Sequence, residues 1–179
     1  MKTLQEQYNT EVAPRMQKEF KYASRFAVPR ITKVSVNVGI GKIRDNKDIV
    51  NLVEKHLTLI VGQKPCAREA KKAISSFKTR KGMVIGYSAT LRGRRMYDFL
   101  NRWIHYAIPR MRDFRGIPIK SVDGAGNLTF GMREHIVFPE MISEDIRTIF
   151  GLEITVVTNA KTRDEAIFLF KLLGFPIER

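Results

Sequence analysis

Two stretches of the chain alternate apolar and polar residues, which is the pattern of a β-strand with one buried face. In residues 31–38, three valines point one way, and Ser35 and Asn37 point the other. Residues 83–92 alternate in the same manner. Their apolar side consists of Ile85, Tyr87, Ala89 and Leu91, and their polar side includes Ser88, Thr90 and Arg92. Each stretch is therefore predicted to be a strand that turns its apolar side to a hydrophobic core.

Four longer stretches repeat apolar residues every three or four positions, which is typical of helices packed along one face. They are residues 2–21, 48–61, 94–108 and 162–173. Pro14 is expected to kink or split the first helix, and Pro109 to end the third. Gly62 follows the second helix, where a glycine suits the C-terminal cap.

The remaining segments predict shorter elements and two long connections. The predicted elements are strands within residues 63–69, 128–133, 136–138 and 152–158, and a short helix over 143–148 capped by Ser143. Residues 71–82 are predicted to form an exposed loop, and residues 110–127 are rich in turn formers. Together the elements predict a single α+β domain over residues 1–179. In it a mostly antiparallel sheet carries helices on one face and a long exposed basic loop.

The charge of the chain is large and unevenly distributed. The formal net charge is +14, and residues 1–120 hold 26 Lys and Arg against 9 Asp and Glu. Residues 121–179 hold 6 Lys and Arg against 9 Asp and Glu. Like charges repel in a folded protein, so such an excess of cations indicates a polyanionic partner whose counterions are released on binding. We therefore expect a nucleic acid to contact the first two-thirds of the chain.

The polar sides of the two alternating strands are the first candidate for that contact. In one sheet, they would share the face away from the helices, with Ser35, Asn37, Ser88, Thr90 and Arg92 exposed. Short uncharged donors and acceptors can hydrogen-bond to phosphates and 2′-hydroxyls, and this face lacks the aromatic residues that stack on splayed bases. The pattern fits an ordinary solvated face equally well, but the neighbouring charge excess favours structured RNA.

The predicted loop is the second candidate. It carries Lys71, Lys72, Lys78, Arg80 and Lys81, and no acid lies among residues 71–81. A run of charges is often only solvated, but long cationic side chains on an exposed segment also suit contact with phosphates.

A third cluster consists of Arg110, Arg112 and Arg115, just after the third predicted helix. These arginines fit two roles. They can bind phosphates in a bidentate manner, or they can form a structural ion-pair network with Asp113 and nearby acids. The sequence pattern does not choose between the two.

Features of an enzyme are weak in this sequence. Gly39-Ile40-Gly41 follows a predicted strand but lacks the third glycine of a dinucleotide-binding loop. The three histidines are scattered and do not match the spacing of a metal site, and His105 and His135 lack an obvious partner. Asp123 lies in a glycine-rich turn, where aspartate is a turn former. No metal, cofactor or small-molecule substrate is expected.

The single cysteine and the hydropathy pattern indicate the compartment. Cys66 cannot form an internal disulfide and is expected to be a small buried residue. No stretch approaches the roughly 18–20 apolar residues of a membrane span, and the N-terminal residues lack an apolar signal core. The chain is therefore expected in the cytoplasm, without a membrane partner.

Eight short strings follow one another from end to end of the chain. They are Val28-Pro29-Arg30, Asn37-Val38-Gly39, Gly62-Gln63-Lys64-Pro65, Ala70-Lys71-Lys72, Thr90-Leu91-Arg92-Gly93, Pro109-Arg110-Met111-Arg112-Asp113-Phe114-Arg115-Gly116, Phe138-Pro139-Glu140 and Gly174-Phe175-Pro176. In this order and spacing they resemble the bacterial form of the universal large-subunit ribosomal protein that binds 5S rRNA, the fifth in the large-subunit numbering. The strings ending in Gly93 and Gly116 are specific, and the others are supportive.

The resemblance implies a function as a structural constituent of the large ribosomal subunit. That family anchors 5S rRNA in the central protuberance, and residues matching Asn37, Gln63 and Thr90 make the contact. A loop matching Lys71–Met83 reaches toward peptidyl-site tRNA. A surface in the C-terminal half touches a small-subunit head protein and forms an intersubunit bridge. Other large-subunit rRNA and proteins are further expected partners.

The chain departs from the family pattern at Arg94, Ala125, Leu128 and Phe150. At these positions the family usually has an acid, an arginine, an aromatic residue and an arginine, respectively. The departure at Phe150 is expected to alter a surface contact in the C-terminal half. None of the four touches the proposed polar face.

Two other functions remain as alternatives to a structural ribosomal protein. An RNA-modifying or RNA-cleaving enzyme would need a cofactor loop, a metal cluster or an acid–base pair, and the sequence shows none of these. A non-specific RNA chaperone would bind 5S rRNA and an unrelated folded RNA with equal affinity.

Overall fold

The alternating stretches fold into neighbouring strands of a five-stranded sheet in a computed structural model, which describes residues 3–41 and 43–178. The strands are β1 (Ile31–Gly39), β2 (Cys66–Glu69), β3 (Val84–Leu91), β4 (Leu128–Met132) and β5 (Leu152–Thr158). Their order across the sheet is β2-β3-β1-β5-β4, and each neighbouring pair is antiparallel. The expected α+β fold with an antiparallel sheet is confirmed.

The helices follow the predicted apolar periodicity. They are α1 (Leu4–Gln7), α2 (Ala13–Phe20), α3 (Lys47–Val61), α4 (Gly93–Arg102) and α5 (Arg163–Leu172). A π-helical turn, Tyr8–Val12, joins α1 to α2, and another, Trp103–Ala107, extends α4. A 3-10 turn, Ile108–Arg110, then carries Pro109 and ends the segment, close to the predicted end.

Pro14 changes the hydrogen bonding of the first helical segment without interrupting it. The proline lies in the first turn of α2, but the chain before it is already helical, so its missing N–H leaves a carbonyl of the preceding turn without its usual donor. In the π-helical turn before it, the Ala13 N–H bonds to the Tyr8 carbonyl, five residues back. The predicted split is therefore a widened turn between two contiguous helices.

The core lies between the apolar side of the sheet and the helices. Val34, Val36 and Val38 of the central strand are fully buried, as their alternation predicts. They belong to the same hydrophobic cluster as Leu57 of α3 and Phe99 of α4. Ile85 is an exception on β3, because it lies where the ladder with β1 ends and is 36% exposed.

Two predicted elements in the C-terminal half are wrong. Residues 136–138 form no strand, because the chain makes two 3-10 turns there, His135–Val137 and Pro139–Met141. A short apolar run does not distinguish a strand from buried turns, and Pro139 lacks an N–H for a ladder. Residues 143–148 form no helix. Ile146 is exposed, so this short segment has little apolar burial to offset the cost of helix nucleation.

Candidate nucleic-acid interface

Strand pairing brings the predicted polar residues of β1 and β3 together. Ser35 lies opposite Thr90, and Asn37 lies opposite Ser88. Residues directly opposite one another in an antiparallel pair project to the same face of the sheet. Because the valines of β1 point into the core, this shared polar face, the β1–β3 face, points away from the helices. Arg92 follows directly as the exposed N-cap residue of α4.

Gln63 approaches Thr90 of the β1–β3 face from a different element. Helix α3 ends at Val61, and its cap residue Gly62 has a positive φ of 72° that turns the chain away from the helix. Gln63 then donates a hydrogen bond from Nε2 to the Thr90 carbonyl oxygen at 3.2 Å. The structure therefore places Gln63 beside Thr90, although 27 residues separate them in sequence.

Ser88 is less open than its neighbours on this face. Its side chain is buried, and its hydroxyl accepts a hydrogen bond from Nε of Arg68 on β2. A ligand approaching here therefore meets the guanidinium of Arg68 before the serine. Sequence reasoning missed Arg68. The sequence feature that could have revealed Arg68 is the strand predicted within residues 63–69. That strand pairs with β3 and so brings the Arg68 cation to the β1–β3 face.

The polar face continues beyond β1 onto the other two strands. Thr155 of β5 lies opposite Ser35, and its hydroxyl is 3.3 Å from that of Thr129 on β4. Glu153 of β5 lies opposite Asn37 and is exposed. A carboxylate repels phosphate, so the half of the face nearer to β2 and β3 is the more favourable surface for an RNA backbone.

The basic loop between β2 and β3 is exposed but has a defined shape. The backbone N–H groups of Ile74 and Thr79 each bond to the other's carbonyl, at 3.2 and 3.1 Å. Arg44 donates from Nη2 to the carbonyls of Phe77 and Lys78 at 2.8 and 3.1 Å, which holds the tip of the loop. These contacts fix the backbone while the cationic side chains face solvent.

The five cations of this loop are available to a ligand. Lys71, Lys72, Lys78, Arg80 and Lys81 are all exposed. Within residues 3–41 and 43–178, none of the five forms an ion pair. An unpaired cation on a fixed loop loses no existing partner when it meets a phosphate.

The third arginine cluster forms no ion pair with Asp113 in the described part of the chain. Arg112 and Arg115 instead line a cavity of about 560 Å³, whose walls also include Arg133, just after β4, and the acids Asp113 and Glu134. Asp113 has a positive φ of 54°, which marks a sharp turn in the backbone. Of the two roles left open by the sequence, the ion-pair network with Asp113 is therefore absent here, and Arg112 and Arg115 remain free to bind an anion.

The remaining sequence candidates have structural roles or lie on the surface. Cys66 is exposed on edge strand β2, so the expectation that it is buried is wrong. Asp123 accepts hydrogen bonds from Asn127 within its turn, and the backbone N–H of Asn127 holds the pKa of this carboxyl below its ordinary value. Asp123 is thus a turn former, as predicted. His135 has a partner after all, His56, which lies 79 residues away in sequence.

Residues 3–41 and 43–178 contain no group of three or more His, Cys, Asp or Glu that could hold a metal ion. Over the same residues, no helix is both long enough and apolar enough to cross a membrane.

Comparison with known proteins identifies the family. The family model for ribosomal protein L5 matches residues 24–80, and the separate model for the C-terminus of the same ribosomal family matches residues 84–177. The chain belongs to the ribosomal protein L5 family. The large ribosomal subunit protein uL5 of Halothermothrix orenii is 46% identical over 100% of both chains. The uL5 protein of Thermosipho africanus is 48% identical over 98% of this chain and 97% of its own.

Family membership establishes the general role of the chain. As an L5 protein of the bacterial type, it is a structural constituent of the large ribosomal subunit, with rRNA and other ribosomal proteins as partners. The family is a ribosomal-protein family rather than an enzyme family. Its location is the ribosome of the cytoplasm, as expected.

The structure also shows where this L5 protein departs from the expected family pattern. Phe150 is buried and stacks on His135 at a ring-centroid distance of 3.8 Å. The expectation that Phe150 alters a surface contact is therefore wrong, because the ring belongs to the core. Leu128 is also fully buried. Arg94 is exposed and lies 3.7 Å from Asp98, one helical turn further along α4.

Proposed function

We propose that this L5 protein binds 5S rRNA through the β1–β3 face and anchors it in the central protuberance. The observation that supports this most strongly is the convergence of Asn37, Gln63 and Thr90. Three separate segments supply these residues, yet strand register puts Asn37 and Thr90 on one face, and a hydrogen bond holds Gln63 beside Thr90. Ser35, Ser88 and Arg92 lie beside them, with Arg68 as an additional cation.

Specificity and affinity come from different residues in this proposal. Uncharged amides and hydroxyls at fixed spacing read the shape of an RNA through its phosphates and 2′-hydroxyls. Cations around them supply attraction that does not depend on base sequence. The β1–β3 face has few charges of its own, so recognition by shape is the role it suits best.

The basic loop contacts peptidyl-site tRNA in the same proposal. Its five cations are exposed and unpaired within the described residues, and Arg44 fixes its tip. The loop leaves the sheet where β1 ends, near Gly39, four residues along that strand from Ser35, the partner of Thr90. A second RNA can therefore reach the loop without competing for the polar face.

A surface in the C-terminal half contacts a small-subunit head protein and forms a bridge. The supporting feature is an irregular segment between β4 and β5 that exposes Ile142, Ile146 and Ile149. Glu144 and Asp145 lie among these isoleucines. Apolar side chains with a polar rim are typical of protein–protein contacts. Arg110, Arg112 and Arg115 supply additional RNA or bridge contacts.

Gel-shift titration against 5S rRNA at several salt concentrations tests the proposal. We expect tighter binding to 5S rRNA than to an unrelated folded RNA at physiological salt. The logarithm of the affinity should fall with the logarithm of salt by about 0.9 for each phosphate contacted in duplex RNA. Equal affinity for both RNAs would instead indicate a non-specific RNA chaperone.

A further inference from the structure

Phe26 is the most exposed large hydrophobic residue in the described part of the chain, with 96% of its surface open to solvent. Single apolar residues are common on protein surfaces, and partial exposure needs no explanation. Phe26 differs because almost its whole ring projects from the protein. An aromatic ring in this position provides a flat face for a ligand.

The backbone that carries Phe26 is held in place from several sides. Phe26 lies in the 3-10 turn Arg25–Ala27, and its N–H bonds to the Ser24 hydroxyl at 3.3 Å. The turn leads directly into Val28, which is buried. The Tyr8 hydroxyl donates to the carbonyl of Pro29 at 3.1 Å. The ring is thus presented on a fixed turn, so little backbone order would be lost on binding.

Phe26 forms one wall of a cleft between this turn and the first helical segment. The cleft has a volume of about 400 Å³, and its other walls include Tyr8, Asn9, Arg25 and Arg30. We call it the Phe26 cleft. Arg25 donates from Nη2 to the Asn9 carbonyl at 3.1 Å, which orients its guanidinium across the cleft. No described residue that lines the cleft is acidic.

We propose that the Phe26 cleft binds an unstacked nucleotide of ribosomal RNA. The base stacks on the Phe26 ring, and Arg25 and Arg30 contact the adjoining phosphates. The Asn9 side-chain amide can both donate to and accept from a base edge. Aromatic residues beside arginines are the usual means of holding splayed bases.

A protein ligand fits the cleft less well than a nucleotide. An apolar side chain of a partner protein would offer no hydrogen-bond acceptor or negative charge to the guanidinium groups of Arg25 and Arg30. Burying these groups without such a partner is costly. A nucleotide supplies both a flat apolar ring and an anion, which match Phe26 and the arginines in one ligand. The proposal rests on rRNA binding by this L5 protein but not on the β1–β3 face.

Fluorescence of a Phe26→Trp variant gives a direct test. The chain has one tryptophan, Trp103, which is fully buried, so it contributes a constant background that the wild-type protein measures. The full-length variant is titrated separately with 5S rRNA and with 23S rRNA. We expect strong quenching of the introduced indole in one arm, which also identifies the RNA that supplies the base. Absence of quenching in both arms, under conditions where the RNA is bound, would overturn the proposal.

Affinity measurements give an independent readout. Phe26→Ala should weaken binding to the quenching RNA by roughly 5- to 150-fold, the range for losing one stacked base, whereas Phe26→Tyr should retain it. Tyr106→Ala is the matched control, since Tyr106 is also an exposed aromatic residue but lies outside the cleft. Affinity of Phe26→Ala within about twofold of wild type for both RNAs would also reject the cleft.

The two proposed sites can fail separately. If Asn37→Ala with Thr90→Ala weakens 5S rRNA binding while Phe26→Ala does not alter affinity for either RNA, the cleft proposal is wrong and the sheet proposal stands. If the Asn37→Ala, Thr90→Ala variant binds 5S rRNA normally, while Phe26→Ala weakens RNA binding and the Phe26→Trp indole is quenched, the sheet proposal is wrong and the cleft proposal stands. Thermal unfolding confirms that each variant is folded.

Discussion

His56 and His135 contact one another inside the core, with Nδ1 of His56 3.2 Å from Nε2 of His135. Both side chains are fully buried. The Phe150 N–H bonds to Nδ1 of His135 at 3.4 Å, so the ring proton of His135 is on Nε2 and is donated to His56. Nε2 of His56 then carries its own proton toward the Glu144 carboxylate, 3.9 Å away. The pair links helix α3 to the segment between β4 and β5.

The buried histidine pair should make stability depend on pH. Burial is the main cause and the neighbouring His56 the second of a lowering of the pKa of His135 to about 4. Burial also lowers the pKa of His56, although Glu144 opposes this effect. Below pH about 6.5, the unfolded chain therefore binds protons that the folded chain does not, and stability falls as the pH falls toward 4. For His135 alone the loss is up to about 3 kcal/mol, from its shifted pKa.

Denaturant unfolding at pH 7.5 and pH 5 measures this dependence. A His135→Phe variant should lose less stability over that interval than the wild type, because one proton-linked site has been removed. His105→Asn removes an exposed histidine instead and serves as the control. Identical pH dependence in the wild type and His135→Phe would show that the buried pair does not set it.

Removal of two polar side chains from the β1–β3 face should weaken RNA binding without unfolding the protein. Each lost hydrogen bond costs on the order of 1 kcal/mol, so Asn37→Ala with Thr90→Ala should reduce 5S rRNA affinity roughly 30-fold. Asn51→Ala, which removes an exposed amide on α3, is the matched control. Unchanged 5S rRNA affinity in the double variant at an unchanged melting temperature would argue strongly against this face.

The basic loop should matter more for tRNA than for 5S rRNA. Replacement of Lys78, Arg80 and Lys81 by alanine is expected to impair peptidyl-site tRNA binding by ribosomes that carry the variant, because three exposed cations are lost. Its affinity for 5S rRNA should change less. A variant with Lys120, Lys161 and Lys171 replaced removes the same charge from exposed positions elsewhere. If the loop variant loses 5S rRNA binding instead, the loop has been assigned to the wrong partner.

Arg44 should protect the loop from proteolysis. Its hydrogen bonds to the carbonyls of Phe77 and Lys78 hold the tip, so Arg44→Ala should favour local opening and speed trypsin cleavage after Lys78 or Arg80 by about tenfold. Arg94→Ala removes an exposed arginine from α4 and is the comparison variant. Equal cleavage rates in Arg44→Ala and wild type would mean that other contacts fix the loop.

The sequence by itself determined which face of each strand is polar. The side chains of Asn37 and Thr90 lie opposite the valines and leucine of their own strands, because successive residues of a strand point to opposite faces. This is a local property, and a window of eight residues reveals it. The same applies to the long helices, whose apolar stripes repeat over several turns. The family, too, followed from short strings read along the chain.

Tertiary structure decided what lies beside those residues. Gln63 reaches Thr90, Arg68 covers Ser88, and His135 meets His56 only after the sheet order and helix packing are set. Phe150 likewise occupies the core because it stacks on His135. Such contacts join distant segments, and their geometry depends on strand register and side-chain packing, which local periodicity does not encode.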